Sequence, residues 1–127
     1  MRQPAPLIAV IDDDASVRRA VQRLLQSAGY TVATFATARA FLEADYGART
    51  ACVVLDVHLP GMSGFQLQDY LAAAGVPLPI VFITAYDDVA ARDRVQRAGA
   101  VGYLRKPFEQ STLLEAIRRA LGPDASA

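Results

Sequence analysis

Leu7-Ile8-Ala9-Val10-Ile11-Asp12-Asp13-Asp14 carries five apolar residues straight into three carboxylates. An apolar run without polar alternation reads as a strand buried on both faces. The same figure recurs along the chain. Ala51-Cys52-Val53-Val54-Leu55 leads into Asp56, Ile80-Val81-Phe82-Ile83 into Thr84, and Val101-Gly102-Tyr103-Leu104-Arg105 into Lys106. If these runs are strands of one parallel sheet, their polar successors emerge together at its carboxyl edge, where open α/β sheets place their sites. Asp12, Asp13, Asp56, Thr84 and Lys106 gathered there would suit a divalent cation and a phosphoryl group.

Between the runs the period changes. Val17, Val21, Leu24, Leu25 and Ala28 share one face of a helix over 15–28, with Arg18, Arg19, Gln22, Arg23 and Gln26 on the other. Asp14 is placed to cap this helix and Gly29 to end it. Residues 30–35 are β-rich and predict another strand. Thr37 caps a short helix reaching roughly to Tyr46, with Ala40, Phe41 and Ala44 inward and Gly47 closing it. Pro and Gly make 59–64 a loop, and a helix over about 65–74 follows. Asp87 and Asp88 start a fourth helix, which runs through Ala98 and ends at Gly99; the acidic start suits the helix dipole. A fifth helix follows Pro107, with Leu113, Leu114, Ile117 and Leu121 on one face and Gly122-Pro123 as its stop.

Five strands alternating with five helices predict an α/β fold. The leading topology is a flavodoxin-like, doubly wound (βα)5 unit: a five-stranded parallel sheet with helices on both faces. Its expected extent is 7–121, with 1–6 a proline-containing lead and 122–127 a tail or the start of a linker.

The 127 residues suit one domain with a core of its own. Its 13 basic and 13 acidic residues cancel, so no global field draws the chain to nucleic acid or anionic membrane. Every basic residue except Lys106 is an arginine, which makes that lysine conspicuous. Cys52 is the single cysteine; it excludes an internal disulfide and a thiolate zinc cluster, and it reads as a core thiol. No apolar stretch is long enough to span a bilayer and no secretory core opens the chain. A cytoplasmic protein is therefore expected, with no membrane contact. No DNA-reading segment is visible, so no direct nucleic-acid binding by these residues is expected.

Ala9-Val10-Ile11-Asp12-Asp13-Asp14, Val54-Leu55-Asp56-Val57-His58-Leu59-Pro60-Gly61-Met62-Ser63-Gly64, Ile83-Thr84-Ala85 and Leu104-Arg105-Lys106-Pro107-Phe108 together resemble the signature set of bacterial response-regulator receiver domains. The resemblance runs from about Leu7 to Leu121. Phe35-Ala36-Thr37-Ala38 and Arg97-Ala98-Gly99-Ala100-Val101-Gly102-Tyr103 are similar to receivers of the FixJ and NarL groups of transcriptional regulators.

The resemblance implies a role for each polar group. Asp56 would be the phosphoacceptor, an ionised carboxylate attacking phosphorus to give a labile acyl phosphate. Asp12 and Asp13, with Asp56 and the backbone carbonyl of His58, would hold Mg²⁺. Asp14 leaves the register of the acidic pair open by one residue; Asp12 and Asp13 follow the strand directly, and Asp14 then serves as the helix cap. Lys106 would place its charge on the phosphoryl oxygens and pair with Asp56 at rest, and its bond to Pro107 would be cis. Thr84 would donate its hydroxyl, and Ala85 its backbone N–H, to a phosphoryl oxygen. Movement of Thr84 would make room for Tyr103, the switch aromatic. His58 and Tyr86, two residues past Asp56 and Thr84, would stand at the rim and hinder attack by water. The His58 side chain reads as a solvent-facing loop residue in preference to a metal ligand.

As a receiver the chain would be a switch and not an enzyme, catalysing only its own phosphotransfer and dephosphorylation. Its implied partners are a cognate sensor histidine kinase, an output domain or partner protein outside this chain, and a second copy on activation. The contact face would be helix four, strand five and helix five, including Arg92, Arg105 and Arg118. The alternative is a receiver-like interaction module that works without phosphorylation; such a module would be expected to lack an acid or the lysine, and none is missing. A flavin binder would want a Gly/Ser/Thr-rich phosphate loop where Asp12-Asp13-Asp14 stands. A phosphatase of the haloacid-dehalogenase type would want Asp where His58 stands.

Overall fold

The computed structural model describes residues 5–85, 89–97 and 100–122. Strands and helices alternate: β1 (Leu7–Ile11), α1 (Ala15–Ser27), β2 (Thr31–Phe35), α2 (Ala38–Ala44), β3 (Thr50–Asp56), α3 (Gly64–Ala73), β4 (Ile80–Thr84), α4 (Val89–Arg97), β5 (Gly102–Arg105) and α5 (Gln110–Leu121). All strand pairs are parallel, and the sheet order is β2-β1-β3-β4-β5. The order reverses direction at β1 and β3, which makes the crevice between them the switch point of a flavodoxin-like sheet.

The apolar runs form the middle of this sheet because helices cover both of its faces. On one face Ile8, Val10, Val54, Val81 and Ile83 pack with Val21 and Leu25 of α1 and with Leu113 and Ile117 of α5. On the other face Ala9, Ile11, Val53, Leu55 and Phe82 pack with Phe41 of α2, Leu67 and Leu71 of α3 and Val95 of α4. Cys52 is buried in the first of these layers. Burial pushes its thiol pKa up to about 12, against the opposing effect of a backbone hydrogen bond at Val53.

The helices start where their caps stand. Asp14 accepts hydrogen bonds from the backbone N–H groups of Ser16 and Val17, and Thr37 from that of Ala40. Ser63 and Gln66 form a reciprocal capping box at the start of α3. Three local expectations need correction. The second helix stops at Ala44, because Asp45 takes a left-handed conformation at φ 56°, and a 3₁₀ turn over Gly47–Arg49 follows. Within α2 the buried alanine is Ala38, while Ala44 is exposed. In α1 the last residue of the predicted stripe, Ala28, lies outside the helix and is exposed. Tyr86, Asp87, Asp88, Ala98, Gly99 and Pro123 lie outside the described residues. No helix among the described residues is long and apolar enough to cross a membrane.

Candidate functional site

Register brings the strand ends level. Ile11 pairs with Leu55, Asp56 with Ile83, and Thr84 with Arg105. Backbone bonds carry the pairing beyond the strands. The Asp12 N–H donates to the Phe35 carbonyl at 3.1 Å, and the Lys106 N–H to the Thr84 carbonyl at 2.7 Å. Asp12, Asp56, Thr84 and Lys106 thus meet at the carboxyl edge of the sheet, beside the β1/β3 switch point. Asp12, Asp56 and Thr84 are buried; Asp13 is exposed at the mouth.

Lys106 ties the acids together. Its Nζ lies 2.7 Å from Asp12 Oδ2 and 3.0 Å from Asp56 Oδ2. Asp56 Oδ1 accepts from the His58 backbone N–H at 2.9 Å, and Asp12 Oδ1 from that of Asp14, also at 2.9 Å. Burial is the largest influence on Asp56 and lifts its pKa above the ordinary carboxylate value. The His58 N–H and Lys106 pull the other way, and the Asp12 charge adds to the rise. Burial works against the Lys106 ammonium, but the two carboxylates outweigh it and its pKa is raised.

The cluster fits a hard divalent cation such as Mg²⁺. Asp12, Asp13 and Asp56 each present an oxygen, all within 4.8 Å of one another. Against these carboxylates the cluster itself sets only the Lys106 ammonium, which leaves a surplus of negative charge. Asp12 Oδ2 is buried and takes the Lys106 ion pair, yet no donor among the described residues meets it in hydrogen-bonding geometry. It therefore keeps lone-pair capacity for an oxygen-seeking cation.

The remaining predicted residues distribute around this centre. Side chains alternate along strands, so Thr84 shares a face with Phe82, and Phe82 pairs with Tyr103 across β4 and β5. Thr84 and Tyr103 therefore lie on the same face of the sheet, with Tyr103 half-buried against its apolar layer. Ala85 and His58 are exposed. The Lys106–Pro107 peptide is cis. The predicted rim residue Tyr86 is outside the described residues.

Two residues escaped the sequence reading. Gly64 approaches the phosphoacceptor candidate so closely that a Cβ there would collide with the Asp56 carbonyl oxygen, and its N–H donates to the Val57 carbonyl at 3.0 Å. Arg18, assigned to the solvent side of α1, is half-buried and donates from Nη1 to the Asp12 carbonyl at 2.7 Å. Its signal was available: a helical side chain leans toward the N-terminus, so a long residue in the first turn can reach the strand end before it.

The family model described as the response regulator receiver domain matches residues 8–118. The transcriptional regulatory protein FixJ of Bradyrhizobium diazoefficiens is 42% identical over 114 residues, covering 90% of this chain and 56% of that protein. Among solved structures, the response regulator StyR superposes with a TM-score of 0.86 at 47% identity, over 92% of this chain and 59% of StyR. The chemotaxis protein CheY4 of Vibrio cholerae gives 0.83 at 32% identity, over 92% of this chain and 99% of CheY4. The chain spans about half the length of the curated relatives it matches. It belongs to the response-regulator receiver family of two-component signalling, in the FixJ/NarL-like subgroup.

Proposed function

We propose that this receiver accepts a phosphoryl group on Asp56, from the phosphohistidine of a sensor histidine kinase or from a small donor such as acetyl phosphate. The observation that carries this reading is the convergence of Asp12, Asp13 and Asp56 within 4.8 Å, with Lys106 bridging two of them. An Asp56 oxygen attacks phosphorus and forms the new P–O bond. The P–N or P–O bond of the donor breaks, and its electron pair leaves with the imidazole nitrogen or the acetate oxygen. Lys106 swings its charge from the resting carboxylate to the phosphoryl oxygens. The Thr84 hydroxyl and the Ala85 N–H donate to the same group. Mg²⁺, held by Asp12, Asp13, Asp56 and the His58 carbonyl, would supply positive charge that keeps Asp56 ionised and neutralises charge on the transferring group.

The chain acts here as a switch whose only reactions are its own phosphorylation and hydrolysis. His58 and Tyr86 slow the second by obstructing water. Thr84 moves toward the phosphoryl group, and Tyr103 on the same face follows inward. The shift reshapes the surface of α4, β5 and α5, which carries Arg92, Arg105 and Arg118. That surface is read in the cytoplasm by a second copy, an output domain or a partner protein.

Intact-mass spectrometry after incubation with acetyl phosphate tests the reading. One added phosphoryl group is expected with Mg²⁺, and none without it or in Asp56→Asn. Phosphorylation of Asp56→Asn to the wild-type level would remove Asp56 from the mechanism.

A further inference from the structure

Three of Asp12's polar atoms are hydrogen-bonded and the fourth, Oδ2, is ion-paired. Its N–H is bound by the Phe35 carbonyl of β2, its Oδ1 by the Asp14 N–H and its Oδ2 by the Lys106 ammonium. Its carbonyl receives Arg18 Nη1 at 2.7 Å, a short, charge-assisted bond from six residues along the chain. That carbonyl belongs to the peptide joining Asp12 to Asp13. The plane of this peptide sets where the Asp13 backbone lies, and hence where its exposed carboxylate stands relative to the buried pair. We propose that Arg18 is a positioning residue for divalent-cation binding: it locks the Asp12–Asp13 peptide so that the two carboxylates present their oxygens together with Asp56.

The proposal rests on the cation-binding reading of this site and makes a prediction of distinctive sign. Arg18 is a cation beside a cation site. On charge alone, removing it would tighten Mg²⁺ binding. As a positioning group its removal must loosen binding, because the acidic pair loses its fixed geometry and the carboxylates spread under mutual repulsion. Outer partners of metal ligands act in this way, and their loss weakens affinity by about tenfold or more.

The experiment compares wild type, Arg18→Met and Arg18→Lys by calorimetric Mg²⁺ titration, and by amide hydrogen exchange of the metal-free proteins. Arg18→Met is expected to bind Mg²⁺ about tenfold more weakly and to exchange the Asp14 amide faster, since its bond to Asp12 Oδ1 depends on the same turn. Arg18→Lys keeps a charged donor and is expected to fall between the two. Unchanged or tighter Mg²⁺ binding by folded Arg18→Met overturns the proposal. So does a lowered melting temperature with both Mg²⁺ affinity and Asp14 exchange unmoved, which would make the contact merely structural. Failure of wild type itself to take Mg²⁺ would instead count against the functional reading. The Asp14 exchange rate then still decides whether Arg18 locks the turn.

Discussion

The Lys106–Asp12–Asp56 cluster and the Arg39–Glu43, Arg94–Asp69 and Arg118–Glu115 pairs join the same kinds of group in opposite surroundings. In the cluster the side chains of Lys106, Asp12 and Asp56 are 18%, 0% and 6% exposed. In the helix pairs every partner is more than half exposed, and two of the three contacts are close to 4 Å. Water screens the helix pairs and side-chain entropy opposes them, so each contributes little. Buried charges have lost their water and depend on one another, so removing one exposes the desolvation cost of the rest. The fold is therefore nearly indifferent to its visible surface pairs and sensitive to a cluster that water barely reaches.

The largest effect should come from Lys106→Met, which leaves two buried carboxylates without their cation. A loss of about 3–5 kcal/mol in urea unfolding at pH 7 without metal is expected. A loss below about 1 kcal/mol would put the cluster in the same class as a surface pair.

Asp56→Asn should act in the opposite direction. The folded-state pKa of Asp56 is raised from its ordinary 3.8, mainly by burial. As pH rises from that value the unfolded chain releases its proton first, so stability falls until the folded carboxyl also ionises. Above that window the loss is complete. Metal-free Asp56→Asn should melt higher than wild type at pH 7, with the advantage shrinking as pH drops toward 3.8. Thermal scans across pH check this, and a constant difference would show that ionisation is not its source.

The smallest effect belongs to the helix pairs. A double-mutant cycle on Arg39 and Glu43 should give a coupling of about 0.5 kcal/mol or less. Arg94 also stacks over the Phe65 ring at 4.6 Å, so its truncation should cost somewhat more than that of Arg39. A coupling of about 2 kcal/mol at Arg39–Glu43 would mean that exposure does not set the value of a pair in this protein.

The middle of the sheet was legible because β1, β3 and β4 announce themselves twice, by unbroken apolar runs and by an abrupt polar residue at the end of each, whereas β2 showed only its β-rich composition. β4 begins and ends where the run Ile80–Thr84 does. Helix ends were less legible because alanine suits either face and carries no direction: Ala38 went inward and Ala44 outward. Nor does a pattern of residue types register that Asp45 adopts φ 56°. The convergence of Asp12, Asp56, Thr84 and Lys106 could be read from strand order alone. The supporting contacts could not. Arg18 belongs by periodicity to the solvent side, and only its reach toward the helix start brings it to Asp12. By sequence Gly64 falls in the Pro/Gly loop where glycine is ordinary; it opens α3, and only tertiary proximity to the Asp56 carbonyl leaves no room there for a Cβ.

Lys106 stands 50 residues from Asp56 and further still from Asp12. It follows β5, whereas of the acids it joins Asp12 follows β1 and Asp56 ends β3. A nascent chain that has emerged only through β4 carries the carboxylates without the ammonium, and a chain with β5 undocked keeps them apart. Completing the site therefore coincides with closing long-range contacts of the fold, a slow kind to form. Docking of β5 and completion of the charge cluster become one event, and a copy that stops short of β5 lacks the ammonium that joins the two acids.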